Sequence, residues 1–121
     1  MLIQAILVRV RATQRDQYDR TGITIIFSSD FGDITRTFNL PSSYKPKSAI
    51  FTFLKASMKE KLPLGLLDKP QLFSLTIEER LKNMPFELRV EDSGNSRHPY
   101  NVLEIKPILT SKSSYNTQVQ Q

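Results

Sequence analysis

The chain has 121 residues, a formal net charge of +5, no cysteine and no tryptophan, a length that fits one domain around one buried core and is too short for two independent ones. Disulfides and thiol chemistry are excluded. No run approaches the roughly 18–20 apolar residues of a membrane-spanning helix, and the apolar start Met1 to Val8 lacks a basic leader and a small-residue cleavage site, so neither membrane span nor signal peptide is expected and a cytoplasmic location is favoured.

The charge excess lies wholly in the first half. Up to Lys59 there are nine basic residues against four acidic ones, from Glu60 onward eight of each, and no acidic residue interrupts Ile34 to Lys59. An anionic partner would meet that half, and nucleic acid is the commonest such partner for a small basic domain. A surplus of this size is also ordinary solubility.

In chain order, Leu2 to Ala12 reads as a long first strand, mostly buried and opening outward at its end, where Arg9 and Arg11 share a face. Thr13 to Thr21 is a polar connection carrying Arg15, Tyr18 and Arg20, and Gly22 closes it. Ile23 to Ser28 has the β-branched and aromatic composition of a second strand, Ser29 to Asp33 is a turn holding Phe31, and Ile34 to Leu40 alternates as a third strand. Two arrangements of that strand are open. If Phe38 points to the core, Arg36 lies on the same side near the rim; if the threonines point inward, Arg36 and Phe38 together form an outer surface suited to stacking on a base.

Pro41 to Lys47 is a loop placing Tyr44 beside Lys45 and Lys47, a plausible contact for a single strand of nucleic acid. Ser48 can cap a helix from Ala49 to about Lys61, with Ile50, Leu54, Met58 and Leu62 recurring every four residues. Pro63 and Gly65 lie beyond it, and Leu64 to Gln71 is a connection. Leu72 to Ile77 is either a short strand or the approach to a short helix ending near Asn83, which the Thr76/Glu79 capping-box spacing favours. Met84 to Ile108 reads as a hairpin. Phe86, Leu88 and Val90 alternate with Glu87, Arg89 and Glu91, Asp92 to Ser96 supplies turn residues, and Tyr100 to Ile108 returns. Thr110 to Gln121 is polar, without periodicity, and is expected to be a flexible tail after a domain spanning 1–109.

Catalytic chemistry finds few candidates. His98 is the only histidine, beside Pro99 in a turn, so a histidine-based metal cluster or a Ser-His arrangement is not expected. The adjacent carboxylates Glu78-Glu79 and Glu91-Asp92 belong to a helix start and a hairpin turn. Nothing matches a phosphate-cradling loop. No enzyme, metal or cofactor is expected.

The order strand, strand, strand, helix, short helix or loop, strand, strand resembles the oligonucleotide/oligosaccharide-binding (OB) fold, a mainly β, five-stranded barrel with one helix between strands 3 and 4. The segments Leu81-Lys82-Asn83-Met84-Pro85-Phe86-Glu87-Leu88-Arg89-Val90 and Tyr100-Asn101-Val102-Leu103-Glu104-Ile105-Lys106-Pro107 are similar to the last two strands of small phage-type single-stranded DNA-binding proteins. The chain departs from that pattern in having no tryptophan and no acidic, hydrophobic tip at Gln118-Val119-Gln120-Gln121, so tail-mediated recruitment is not implied.

The resemblance implies a groove across strands 2 and 3, flanked by the first-to-second and fourth-to-fifth connections, where bases stack on aromatics and phosphates meet Lys and Arg. By element it maps onto Arg11, Tyr18, Arg20, Phe31, Arg36, Tyr44, Lys45, Lys47, Arg89, Arg97 and Tyr100. The expected function is sequence-tolerant binding of single-stranded DNA in phage- or plasmid-type replication or recombination. RNA is a variant of the same idea, because nothing identifies a contact to the 2′-hydroxyl, and self-association stays open. The alternative is a protein-interaction or assembly module on a small β-barrel, for which the tyrosines would lie on different faces and the arginines would pair with carboxylates.

Overall fold

A computed structural model describes residues 1–14 and 21–108; most of the expected first connection, with Tyr18 and Arg20, and the expected tail lie outside the described residues. Five strands, β1 (Leu2–Gln14), β2 (Thr21–Ser29), β3 (Gly32–Asn39), β4 (Pro85–Asp92) and β5 (Tyr100–Pro107), form one antiparallel sheet in the order β3-β2-β1-β4-β5. Between β3 and β4 come α1 (Ala49–Ser57), a single 3-10 turn (Leu64–Leu66) and α2 (Pro70–Leu81). The fold is therefore mainly β, but the sheet is open. β3 and β5 are its two edges and exchange no ladder of hydrogen bonds, so the five strands expected as a barrel form an open sheet; α1 touches both edge strands at the opening.

Two helices, not one, lie between β3 and β4, because the short helix expected to end near Asn83 forms as well. α1 begins after Ser48, whose hydroxyl bonds back to the Lys45 carbonyl instead of capping the helix, and it ends at Ser57, well before Lys61. The Met58 amide still reaches the Leu54 carbonyl at 2.8 Å, but Met58 itself is extended and turns its side chain into the core. α2 starts at Pro70, where a fixed φ and a missing N–H cost nothing at the first helical position. Thr76 is thus mid-helix, its hydroxyl on the Leu72 carbonyl, while Phe73, Ile77 and Leu81 bury the face that meets β1. Asn83, at φ 71°, closes the helix in the left-handed conformation that its short polar side chain tolerates.

One aromatic chain runs through the core. Phe27 of β2 meets Phe86 of β4 edge-on at 5.4 Å, Phe86 meets Phe53 of α1 at 5.9 Å, and Phe53 stacks on Phe38 of β3 at 5.4 Å. Phe38 is buried with Ile34, and Arg36, opposite Ile25, shares their face. Of the two arrangements open for β3, the core-facing one holds.

β1 contains an irregularity that decides what faces water. Ile3, Ala5 and Leu7 point inward, a strict alternation would bring Arg9 and Arg11 in after them, and instead Val10 is buried and Arg9 and Arg11 are exposed. One extra residue at Val8 makes the difference, because Leu7 pairs with Phe27 and Arg9 already with Ile26. The bulge lies just beyond the last β1–β4 pair, Ile6 with Pro85. There the α2 end takes over: the Leu7 amide donates to the Met84 carbonyl, the Asn83 amide to the Leu7 carbonyl, and the Val10 amide to Glu78 Oε1 at 2.9 Å. Glu78→Ala would leave the partly buried Val10 N–H without that acceptor and is expected to cost about 1–3 kcal/mol, Glu78→Gln much less; urea unfolding of both variants measures it.

Candidate nucleic-acid interface

Because β1 and β2 alternate through the bulge, the sheet face away from the helices is a grid read directly from the register. Its rows are Arg11–Thr24–Thr37, Arg9–Ile26–Thr35 and Ile6–Ser28–Asp33, across β1, β2 and β3. Successive rows are two residues apart on β2 and β3, about 7 Å, while on β1 the bulge puts three between Arg9 and Ile6. The Thr24 and Thr37 hydroxyls bond each other at 2.8 Å. Arg9 and Arg11 are both exposed, and neither makes an ion pair among the described residues. The single carboxylate in the grid, Asp33, stands in the row farthest from Arg11.

Beyond Asp33 lies the β2–β3 turn. Ser29 Oγ donates to the Gly32 carbonyl at 2.8 Å and accepts the Phe31 amide at 3.1 Å, and Gly32 takes φ +99°, which favours glycine. This turn holds Phe31 out at 60% exposure. Its ring lies 6.4 Å from that of Tyr100, edge to face, so the first residues of β3 and β5 meet there. A strip along β2 thus has two guanidinium groups at one end, hydroxyls along it of which that of the buried Thr24 is turned to Thr37, and at the other end the exposed Phe31 against the half-buried Tyr100.

The expected site residues do not gather in one groove. Arg11, Phe31 and Tyr100 belong to this strip or its end. Arg36 is on the helix side, its guanidinium 4.4 Å from the centre of the Phe38 ring and bonded to the Thr37 carbonyl. Tyr44 stands in the β3–α1 loop, edge-on to Phe51 at 5.0 Å, with Lys45 and Lys47 exposed beside it. Arg89 is on the outer side of β4 and is bonded to Glu104 at 3.3 Å. Arg97 lies in the β4–β5 loop, where its amide donates to Asn95 Oδ1 at 2.8 Å and Ser93 Oγ donates to the His98 carbonyl. Tyr18 and Arg20 are outside the described residues.

Arg9 was not in the expected set, yet it stands beside Arg11 in the grid. The i, i+2 spacing of Arg9 and Arg11 was the available signal; the bulge that turns both outward depends on distant residues. No aromatic ring stands in the β1–β3 grid itself, whose centre is Ile26 flanked by Arg9 and Thr35. Among the described residues no group of His, Asp or Glu could hold a metal ion, and no helix is long and apolar enough to cross a membrane. Comparison of the chain with protein-family models, with curated proteins and with solved structures gave no match.

Proposed function

We propose that the protein binds single-stranded nucleic acid, DNA in the first place, along the β1–β3 face, on an OB-type sheet left open between β3 and β5. The observation that carries this reading is the outward pair Arg9 and Arg11, unpaired among the described residues and next to hydroxyls with no carboxylate in their own rows. Guanidinium groups so placed suit phosphate oxygens, which are read without regard to base identity. At the far end Phe31 offers a ring face to a base. Low sequence specificity follows, because stacking tolerates every base.

The experiment is a salt titration of affinity for mixed-sequence single strands and for duplex of equal length. Single strands should bind more tightly, with log K falling as log salt rises. Equal affinity for both, or no binding at low salt, overturns the reading. Phe31→Ala should weaken single-strand binding by about 1–3 kcal/mol while leaving the salt slope unchanged, and Phe31→Tyr should be nearly silent.

A protein-interaction module is the second reading. It is favoured by the Arg89–Glu104 pair, by Arg36 lying on Phe38, and by the separation of Tyr44 from Tyr100. A partner that binds the purified chain equally well after nuclease treatment, combined with no oligonucleotide affinity, would establish it.

A further inference from the structure

The opening between the sheet edges is a second surface, on the side that carries the helices. A cavity of about 310 Å³ lies there, walled by Phe38 of β3, Phe53 and Ala56 of α1, and Leu103 and Ile105 of β5. Leu103 is the extra residue of a bulge: Arg89 pairs with Glu104 and Val90 with Val102, leaving Leu103 unpaired and 46% exposed over the cavity. Among the described residues the β5 edge beside it joins no strand. Phe38 and Phe53 are buried and stacked on each other, and Arg36 lies over the Phe38 ring, so little open ring surface is left to this space. It is an apolar groove, its rings largely covered and its open wall aliphatic at Ala56, Leu103 and Ile105, with a strand edge beside it, suited to the alternating side chains of an extended peptide and poorly suited to stacked bases.

Its rim is basic. Lys55 stands on the exposed side of α1 next to Thr52 and Ala56, which line the cavity, Lys47 precedes the helix, and no acidic residue occurs from Ile34 to Lys59. The one carboxylate lining the cavity, Glu104, is already engaged by Arg89 at 3.3 Å and Lys106 at 3.9 Å. Charge complementarity therefore selects a negatively charged occupant, and the aliphatic walls select one with apolar side chains.

We propose that the β3–α1–β5 groove docks an acidic, apolar peptide segment of a partner protein, extended along β5, with an apolar side chain entering beside Leu103 and carboxylates meeting Lys55 and Lys47. The surface is separate from the Arg9–Arg11 face, so the two functions stand or fall independently.

The test uses the full chain and three labelled probes: an eight-residue peptide of alternating Asp and Leu, its Lys-Leu counterpart, and a mixed-sequence single-stranded oligonucleotide. The Asp-Leu peptide should bind at least about tenfold more tightly than the Lys-Leu peptide, and Leu103→Asp should weaken it by about tenfold or more, the loss expected for one docked leucine contact. Ala56→Glu, at an exposed helix position, should do the same and keeps the test alive if Leu103→Asp unfolds the chain. Lys55→Glu should shift preference toward the Lys-Leu peptide. Oligonucleotide affinity should stay within about twofold in all three variants, exposed changes remote from the β1–β3 face. Equal binding of both peptides, or undiminished Asp-Leu binding by folded Ala56→Glu, overturns the proposal. So does a loss confined to the oligonucleotide, which would assign the groove to nucleic acid.

Discussion

Phe86→Ala is expected to lower the free energy of unfolding by about 3–5 kcal/mol, a large share of the roughly 5–15 kcal/mol available to a domain. Phe86 is fully buried and touches Phe27 on one side and Phe53 on the other. Its removal therefore takes away the aromatic contact of β4 with both β2 and the helix that spans the sheet opening, leaving the β1–β4 ladder to hold the hairpin. Phe86→Leu fills much of the space and should cost far less, because volume-conserving apolar swaps are tolerated best. Urea unfolding followed by far-ultraviolet dichroism measures both. An alanine variant within about 1 kcal/mol of the parent would mean that the aromatic chain does not bear on stability as described.

The second large effect concerns affinity. Replacing Arg9 and Arg11 together by alanine should reduce oligonucleotide affinity at low salt by at least about tenfold, since each loses a charge-assisted contact. It should also flatten the dependence of log K on log salt by about 1.4, or roughly 0.7 for each phosphate contact on a single strand. The double lysine replacement keeps two point charges and should preserve most of the slope while losing the forked geometry. Both positions are exposed, so the melting temperature should hardly move. A loss of affinity that tracks lost stability, with the slope unchanged, would remove these arginines from the interface.

How far such residues can be read from sequence depends on how local their causes are. The inward positions of Phe86, Leu88 and Val90 were legible because an unbroken period of two fixes a strand's faces within eight residues. β1 was legible as a strand that opens outward at its end with Arg9 and Arg11 on one face, but not in the irregularity that turns them there. The extra residue at Val8 is held by Glu78, Asn83 and Met84, some seventy positions on, and no local rule announces it. The start of α2 was misread for a different reason: the Thr76/Glu79 spacing mimics a cap, while the real start needed only Pro70 at a first helical position. Phe31 and Tyr100, sixty-nine residues apart, were each singled out, but that their rings meet follows only from the sheet curling until its two edges, β3 and β5, approach each other. For the same reason the expected aromatic and basic set did not converge on one groove. Membership of an element places a residue along a strand, not on a face.

The position of β1 between β2 and β4 also bears on how the chain is made. β2 and β3 follow β1 directly, so a three-stranded meander can close as soon as Asn39 has been synthesised, whereas the other edge of β1 waits for β4. At about 5–20 residues per second, the 47 positions from Asn39 to Phe86 take roughly 2–9 s. Throughout that interval Ile3, Ala5, Ile25 and Phe27 have no hairpin to cover them, and the Leu2–Ile6 edge of β1 has no partner strand. A nascent chain of this protein therefore passes through a window in which it is a target for a holdase or for pairing with another unfinished copy, and slow codons between Lys59 and Met84 would lengthen that window.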